Sequence, residues 1–480
     1  MGKLKNDMTY GILWSVLERF STQGMQFILG IVLARLLTPS DYGLIAMTAV
    51  FLSISHALVD SGFSQALIQK KNTSEKDFHT IFHFNFLVSI LVYSILFFLA
   101  RPISVFYEIP QLSAIIEVIG LNLILHSFSI IPIAKLSRKL DFKTLAKATL
   151  LSVAVSGVVS IYLAYQGWGV WALVAQVLIK STLNSILLYI LIQWRPKLIF
   201  SKESFNTLFG FGSNLLATGL LNAVYNNFYT IVIGKVYDAS QLGLYTRANQ
   251  LQKFPSESVT TVIQRVTYPA LCSIQDSKEK LERYYRKIIR LSAFVIFPSM
   301  VWLAVVAEPF IVVILTETWM GVVPFLQLLA FVGILYPIHA MNLDILKVKG
   351  RSDLFLKLDL YKKIIITIVL FVTFSFGIKI MIIGQIFTSI GFLYINTYYT
   401  NKLIKYKLCT QLKDILPIFI LSTLMGGLVY LSILPIDSDL VQVFLAIIAG
   451  PIYYYILASL LKFEELQEIK KIIIKLKNKG

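Results

Sequence analysis

The chain reads as long apolar blocks separated by short polar links, with no sustained alternation of the kind a half-buried strand would give. A helix needs about 20 mostly apolar residues to cross the hydrocarbon of a bilayer. Fourteen blocks qualify: 10–35, 43–66, 81–100, 112–134, 146–165, 170–192, 207–235, 243–270, 289–307, 323–345, 361–378, 381–400, 414–433 and 440–461. The first, second, seventh and eighth carry polar or charged residues inside the block. The pattern predicts an all-α polytopic membrane protein of about fourteen transmembrane helices. Beyond them, residues 462–480 alternate Lys and Glu with Ile and Leu. That predicts a basic amphipathic helix, lying on the inner membrane surface or solvated as a tail.

The charge pattern orients these spans. Lys and Arg bias a link towards the cytoplasm. With a cytoplasmic N-terminus, the termini, the links after even-numbered spans and the first residues of the spans that follow them hold 35 of the 44 basic residues. The outside links hold Arg101 and Lys379 against Asp41, Glu108, Asp238, Glu308, Glu317, Asp437 and Asp439. Both termini are therefore expected inside. The first block carries Glu18 and Arg19 and is too long for a signal h-region, so it reads as a retained helix.

Composition agrees. Of 480 residues 56% are hydrophobic and 15% charged, with a mean hydropathy of +0.73; soluble folds carry about 25% charged residues. Soluble-enzyme classes are excluded. The net charge of +18 sits in the cytoplasmic links and implies no nucleic-acid partner. Cys272 and Cys409 make no disulfide framework.

Two outside links match in kind. Arg35-Leu36-Leu37-Thr38-Pro39-Ser40-Asp41-Tyr42-Gly43-Leu44 follows the first span, and Lys235-Val236-Tyr237-Asp238-Ala239-Ser240-Gln241-Leu242-Gly243-Leu244 follows the seventh. Inside, Arg138–Phe142 resembles Gly350–Leu354. Spans one to six and seven to twelve thus read as two copies in the same orientation, two pseudo-equivalent six-helix bundles plus two C-terminal helices. The expected divisions are 1–200, 201–402, 403–461 and a tail 462–480. Duplicated bundles place a substrate path between the halves.

Charges at bilayer depth face a cavity or a partner. In the eighth span Thr246, Arg247, Gln250, Lys253, Glu257, Thr261, Gln264, Arg265 and Tyr268 fall within about a 120° sector at 100° per residue. This is either a cationic cavity wall or a packed helix whose Lys253 and Glu257 pair at i,i+4. Arg247 and Arg265 are expected to lack a partner within the helix. In the first span Glu18 and Arg19 cannot face one direction; one is expected to pair across helices, with Asp60 at hand, and Gln23 lies nearby. Asn222 and Asn226 share a face of the seventh span, where interhelical hydrogen bonding is an equal alternative to a cavity role.

Other chemistry is missing from the sequence. There is no G-x-x-x-x-G-K-[ST] and no H-E-x-x-H. The five histidines (His56, His79, His83, His126, His339) show no metal spacing, and Asp437-Ser438-Asp439 reads as a solvated turn.

The stretches Gly11–Ser15, Ala34–Gly43, Asp60–Gln69 and Gly243-Leu244-Tyr245 resemble the polysaccharide repeat-unit flippases of the multidrug/oligosaccharidyl-lipid/polysaccharide exporter superfamily. The resemblance implies a multi-pass protein of the bacterial inner membrane that is not an enzyme. It implies alternating access around a basic cavity and an undecaprenyl-diphosphate-linked oligosaccharide as substrate. Arg19, Arg247, Lys253 and Arg265 would contact the diphosphate or sugar acids, with Gln23, Gln250, Asn222 and Asn226 as polar neighbours. Glu18, Asp60 and Glu257 would serve ion coupling to a proton or sodium gradient, and no cofactor or metal is implied. Membrane lipids, a polysaccharide polymerase and glycosyltransferases are the expected partners. A lipid II flippase, a drug/cation antiporter of the same superfamily and a lipid-linked sugar polymerase are the alternatives. The antiporter would need an acidic cavity, and the polymerase a large outside loop.

Overall fold

The computed structural model describes residue 14 and residues 21–60, 62–70 and 72–477, with the side chains at 211–215, 352, 472–473 and 475–477 excepted. Among the described residues all regular structure is helical. The helices are α1 (21–36), α2 (Pro39–Asp60), α3 (Phe63–Gln69), α4 (Glu75–Tyr107), α5 (Gln111–Arg138), α6 (Phe142–Tyr165), α7 (Val170–Ile192), α8 (Lys202–Asn226) and α9 (Phe228–Val236). They continue with α10 (Ala239–Ser273), α11 (Lys278–Val305), α12 (Ala307–Leu315), α13 (Val322–Val348), α14 (Ser352–Thr373), α15 (Ile378–Ile404), α16 (Leu408–Ile433), α17 (Asp439–Leu460) and α18 (Glu464–Lys477).

Ten of these are long and apolar enough to cross a membrane: α2, α4, α5, α6, α7, α11, α13, α15, α16 and α17. The other expected spans are helical where described but more polar. α10 carries Arg247, Lys253, Glu257 and Arg265, and α14 carries Lys357, Asp359, Lys362 and Lys363. The second span breaks at Gly62, whose φ of 69° ends α2 and starts α3. The seventh breaks at Asn227, whose side-chain amide donates to the Ala223 carbonyl (2.8 Å) and to Ser53 Oγ (2.8 Å). Inside ends run longer than apolar counting suggests, because basic and acidic turns continue the helix past the hydrocarbon. α11 starts at Lys278 and α14 at Ser352 for that reason.

Local chemistry fixes the starts and stops. Ser74 and Asp77 form a reciprocal capping box on α4, Asp141 accepts from Thr144 N (3.1 Å) on α6, and Ser201 accepts from Ser204 N on α8. At the other end of α3, Arg138 Nη1 donates to the carbonyls of Leu67, Ile68 (3.1 Å) and Lys70 (2.7 Å). This satisfies a helix C-terminus with a cation.

By packing, the chain forms two compact units, Met1–Gly243 and Leu244–Gly480. In the first, α4 packs on α5, α6 on α7 and α5 on α7, while α8 and α9 pack on α2 and α4. An aromatic cluster of Phe63, Phe78, Phe82 and Trp194 gathers around Ile131 and Leu208. In the second, α11 packs on α13 and α16, α13 on α15, and α16 on α17. Its interior holds a hydrogen-bonded knot. Asn342 Oδ1 accepts from Tyr285 Oη (3.0 Å), Thr400 Oγ1 (2.7 Å) and Gln411 Nε2 (3.3 Å), and Asn342 Nδ2 donates to the Ile338 carbonyl (2.9 Å). The knot ties α11, α13, α15 and α16; interhelical bonds of this type contribute about 0.6 kcal/mol each in a membrane.

The two matching links meet within the first unit. A Cβ on Gly43 would lie 1.7 Å from the Ala239 carbonyl oxygen, and a Cβ on Gly243 1.8 Å from the Pro39 carbonyl oxygen. The first turns of α2 and α10 therefore cross backbone to backbone, reciprocally, at the positions that correspond in the sequence. Each start is capped. Thr38 N and Oγ1 donate to Asp41 Oδ2 (2.9 and 2.7 Å), and Gln241 N donates to Asp238 Oδ1 (2.7 Å). Gly243→Ala is expected to lower the thermal midpoint in detergent, at a cost of about 1–3 kcal/mol for the forced separation. Gly427→Ala, where nothing lies within 4 Å of the added carbon, is expected to be neutral or slightly stabilising.

The tail helix α18 packs on α11 through its acids, and on α17 through Lys470, which donates to Tyr455 Oη (2.9 Å). Glu465, buried at 3%, pairs with Arg290, which also reaches Glu464 (3.3 Å); Lys287 pairs with Glu468 (2.7 Å). The hydrogen bond from Lys287 holds the Glu468 carboxyl below its ordinary value. Its folded value lies below its unfolded one, so its stabilisation is present at neutral pH and is lost as pH falls through the folded value. Protease cleavage within α18 is expected to rise on acidification, and Glu468→Gln is expected to raise cleavage already at neutral pH and to flatten the acid dependence.

Candidate functional site

Apart from the interior knot around Asn342, two groups of polar side chains stand out, one in each unit. In the second unit α10 is two-faced. Leu244, Tyr245, Ala248, Leu251, Gln252, Ser256 and Thr260 are buried. Gln252 closes over Gly333, where a Cβ would come within 2.1 Å of its amide nitrogen. Ser256 Oγ bonds the Gln252 carbonyl (3.0 Å) and Thr260 Oγ1 the Ser256 carbonyl (2.6 Å). The other face presents Gln250, Lys253 and Arg265, all exposed, with Glu257 half-buried beside them.

Arg247 is buried at 8% on the same helix. Its Nη1 donates to Gln250 Oε1 (3.3 Å), and its guanidinium carbon stands 5.9 Å from the centre of the Trp319 ring. A cation over an aromatic face gains about 0.5–2 kcal/mol, more as it is desolvated. The expectation that Arg247 lacks a partner within its helix is therefore corrected: Gln250 lies three residues on, on the same face. Lys253 and Glu257 do pair at i,i+4, at 3.7 Å with both side chains more than two-fifths exposed. Such a pair contributes a few tenths of a kcal/mol, about 0.3–0.5, and leaves both charges open to water. Arg265 makes no ion pair among the described residues. Below it Gln264 donates to Asp344 (2.7 Å), which Lys347 also engages (3.2 Å).

In the first unit a cavity of about 430 Å³ opens among α2, α3, α5 and α8. Asp60, Asn222, His56, His126, Gln65 and Thr218 line it. Asp60 Oδ2 accepts from Ser64 Oγ (3.2 Å). His56 and His126 meet edge to face, with ring centres 4.7 Å apart. Ser181 donates to Asn122 Oδ1, so Asn122 Nδ2 is the donor to His56 Nε2 (3.1 Å). The neutral His56 ring then carries its proton on Nδ1. His56 Nδ1, His126 Nδ1 and Asp60 Oδ1 are all buried without a hydrogen-bond partner. An unmade bond at such an atom costs about 1–3 kcal/mol.

Of the residues expected at the site, the structure brings Asp60 and Asn222 to one cavity, and Arg247, Gln250, Lys253, Glu257 and Arg265 to one helix. Asn226 is exposed one turn beyond Asn222, and Gln23 is half-buried in α1. Glu18 and Arg19 lie outside the described residues. Metal-ligand spacing does not reveal the histidine pair; its mark in the sequence is His56 four residues before Asp60, one turn apart on α2. His79 and His83 instead hold the 193–201 segment: Lys197 N donates to His79 Nδ1 (3.1 Å), and His83 Nε2 bonds the Lys197 carbonyl (2.7 Å). No group of three or more His, Cys, Asp or Glu fit for a metal ion occurs among the described residues.

Comparison with known proteins places this arrangement. The chain is 26% identical over 399 residues to the lipopolysaccharide biosynthesis protein WzxC of Escherichia coli (strain K12), covering 81% of this chain and 77% of that protein. It is 24% identical over 436 residues to the teichuronic acid biosynthesis protein TuaB of Bacillus subtilis (strain 168), covering 89% of each. Its fold resembles the lipid II flippase MurJ in an inward closed conformation, with a TM-score of 0.69 at 17% identity over 94% of this chain and 99% of that one. An inward-facing multidrug resistance transporter of the MATE family gives 0.58 at 15% identity, over 80% and 96%. With ten helices among the described residues long and apolar enough to cross a membrane, it is a multi-pass protein of the bacterial inner membrane. A family model described as polysaccharide biosynthesis protein matches residues 32–324, well over half of the sequence, and the chain belongs to that family.

Proposed function

We propose that the chain is a transporter, not an enzyme, that flips undecaprenyl-diphosphate-linked oligosaccharide repeat units from the cytoplasmic to the outer leaflet by alternating access. Fourteen spans in two six-helix lobes plus two further helices, with both termini inside, are the topology this reading uses. The observation that carries it is the open face of α10. A 35-residue helix bears Gln250, Lys253, Glu257 and Arg265 on a face no neighbour in its unit covers, with Arg247 at its edge. Hydrocarbon accepts no such face, so it needs water beside it. Its charges are three cations against one acid, the sign that receives a diphosphate. In an environment drier than bulk water, each guanidinium–phosphate contact counts for more than at a surface.

The sign weighs against a cationic drug as cargo. Names of similar proteins point to lipopolysaccharide and teichuronic acid biosynthesis, and a polymerase and glycosyltransferases would act on either side of the flip. Lipid II is the second reading, favoured by the likeness in fold to a lipid II flippase.

In cells depleted of the protein, a surface glycan should fall while its lipid-linked repeat unit accumulates on the cytoplasmic side. Arg247→Ala, Lys253→Ala and Arg265→Ala together should reduce rescue of that glycan at least tenfold at equal protein level, and Arg265→Lys should retain most of it. Full rescue by the triple variant would overturn the cationic-face assignment. Accumulation of the peptidoglycan precursor instead would favour the second reading.

A further inference from the structure

A second cleft, of about 560 Å³, lies in the second unit between the tail helix α18 and the N-terminal half of α11. Five cations line it: Arg283, Arg286, Lys287 and Arg290 from α11, and Lys471 from α18. The α11 residues stand at i, i+3, i+4 and i+7, one stripe of a helix. Four carboxylates answer them. Asp414 takes Arg286 (2.5 Å), Glu468 takes Lys287 (2.7 Å), and Glu464 and Glu465 both take Arg290. Lys471 shares Glu468 at 3.5 Å. Arg283 is exposed and makes no ion pair among the described residues; Glu279 and Glu282, on its own helix, do not line the cleft. Five cations against four carboxylates leave one positive charge.

The cleft sits where α11 turns apolar. Leu291 lines it, and no charged residue follows before Val305. Aromatic rings gather around the same helices. Tyr454 Oη donates to the Phe294 carbonyl (2.9 Å), Phe463 lies against Phe294 with ring centres 6.1 Å apart, and Tyr455 accepts from Lys470. Aromatic belts of this kind mark the border between hydrocarbon and water. Leu460 and Leu461 before α18, and Ile474 on it, stand exposed, as side chains that meet lipid do. Within the cleft one polar atom is left over. Glu465 Oε1 accepts from Arg290 Nε, but Glu465 Oε2 is buried with no hydrogen-bond partner. A buried carboxylate oxygen in this state calls for a donor.

We propose that this cleft binds the headgroup of an anionic phospholipid of the surrounding bilayer, of the phosphatidylglycerol type. The phosphodiester meets Arg283 from α11 and Lys471 from α18, the two cations that the carboxylates hold least. Guanidinium and ammonium groups form charge-assisted hydrogen bonds with phosphate, and basic clefts at the membrane border recognise lipid headgroups in this way. A headgroup hydroxyl supplies the donor that Glu465 Oε2 lacks. Phosphatidylcholine offers the phosphate without the net charge and without the donor. Bound there, the lipid bridges the two helices and holds α18 against α11. The site is independent of what the protein transports.

Two measurements on the full-length protein test it. The first titrates the delipidated protein in detergent with a short-chain phosphatidylglycerol by calorimetry. Binding should saturate at one lipid per chain, and Arg283→Gln with Lys471→Gln should weaken it at least tenfold. Both side chains are exposed, so the fold is expected to survive the pair. Phosphatidylcholine should give no saturable binding. Binding unmoved by the double variant, or equal binding of phosphatidylcholine, would overturn the site. Displacement by inorganic phosphate at equal concentration would overturn it in favour of a soluble anion, and tighter binding of a polyprenyl diphosphate in favour of cargo. The second measures protease cleavage within α18 in nanodiscs. Cleavage should be severalfold slower in phosphatidylglycerol than in phosphatidylcholine, and the double variant should lose the difference. Equal cleavage of the wild type in both lipids would overturn the bridging of α11 and α18.

Discussion

Hydrocarbon solvates no polar group, and every other feature of this molecule answers to that fact. Backbone groups disappear into helices, so all regular structure described is helical. Side chains that hydrogen-bond must find partners inside. The knot around Asn342 does so completely, with its amide oxygen accepting from three side chains on three other helices. Asp414 does so as a charge. Arg286 grips it with two nitrogens (2.5 and 2.6 Å), and Tyr406 donates at 2.6 Å. Against this thrift the charged face of α10 stands open, and a charged face left open in a membrane protein is where water and cargo are expected.

Close packing and open polar surface are combined by a division of labour along single helices. In α10 the first turn is pinned by Gly243 against the Pro39 backbone. Its buried edge is locked by Gln252, Ser256 and Thr260, and only the opposite edge carries loose charge. In α2 the same order holds: Gly43 crosses Ala239 at one end, and His56 and Asp60 line the cavity at the other. The rigid ends make the polar stretches predictable in position although they are not covered.

Much of this was legible in the sequence. Long apolar blocks and the placement of lysines gave the helical class, because period and hydrophobicity are local properties. The matched links at 35–44 and 235–244 announced two helix starts of one kind, and these prove to touch at Gly43 and Gly243. What the sequence hid was set by partners far along the chain. The breaks at Gly62 and Asn227 interrupt blocks that look continuous. Glu464, Glu465 and Glu468 look like incidental acids in a basic tail until α11 supplies Lys287 and Arg290. The partner of Arg247 within its helix, Gln250, was three residues away in plain view, whereas Trp319, far along the chain, leaves no mark near it. The histidine pair spans α2 and α5, and no spacing rule within one segment reports that meeting.

The account stands on water reaching the charged face of α10 and on an anionic lipid headgroup competing for it. Cysteines placed at Gln250 and Arg265, with Cys272 and Cys409 replaced by serine, probe both points in intact membranes. We expect rapid reaction with a small, membrane-impermeant thiol reagent and at least severalfold protection by a polyprenyl diphosphate. Cysteines that stay unreactive, or that react equally with and without the diphosphate, would contradict the account.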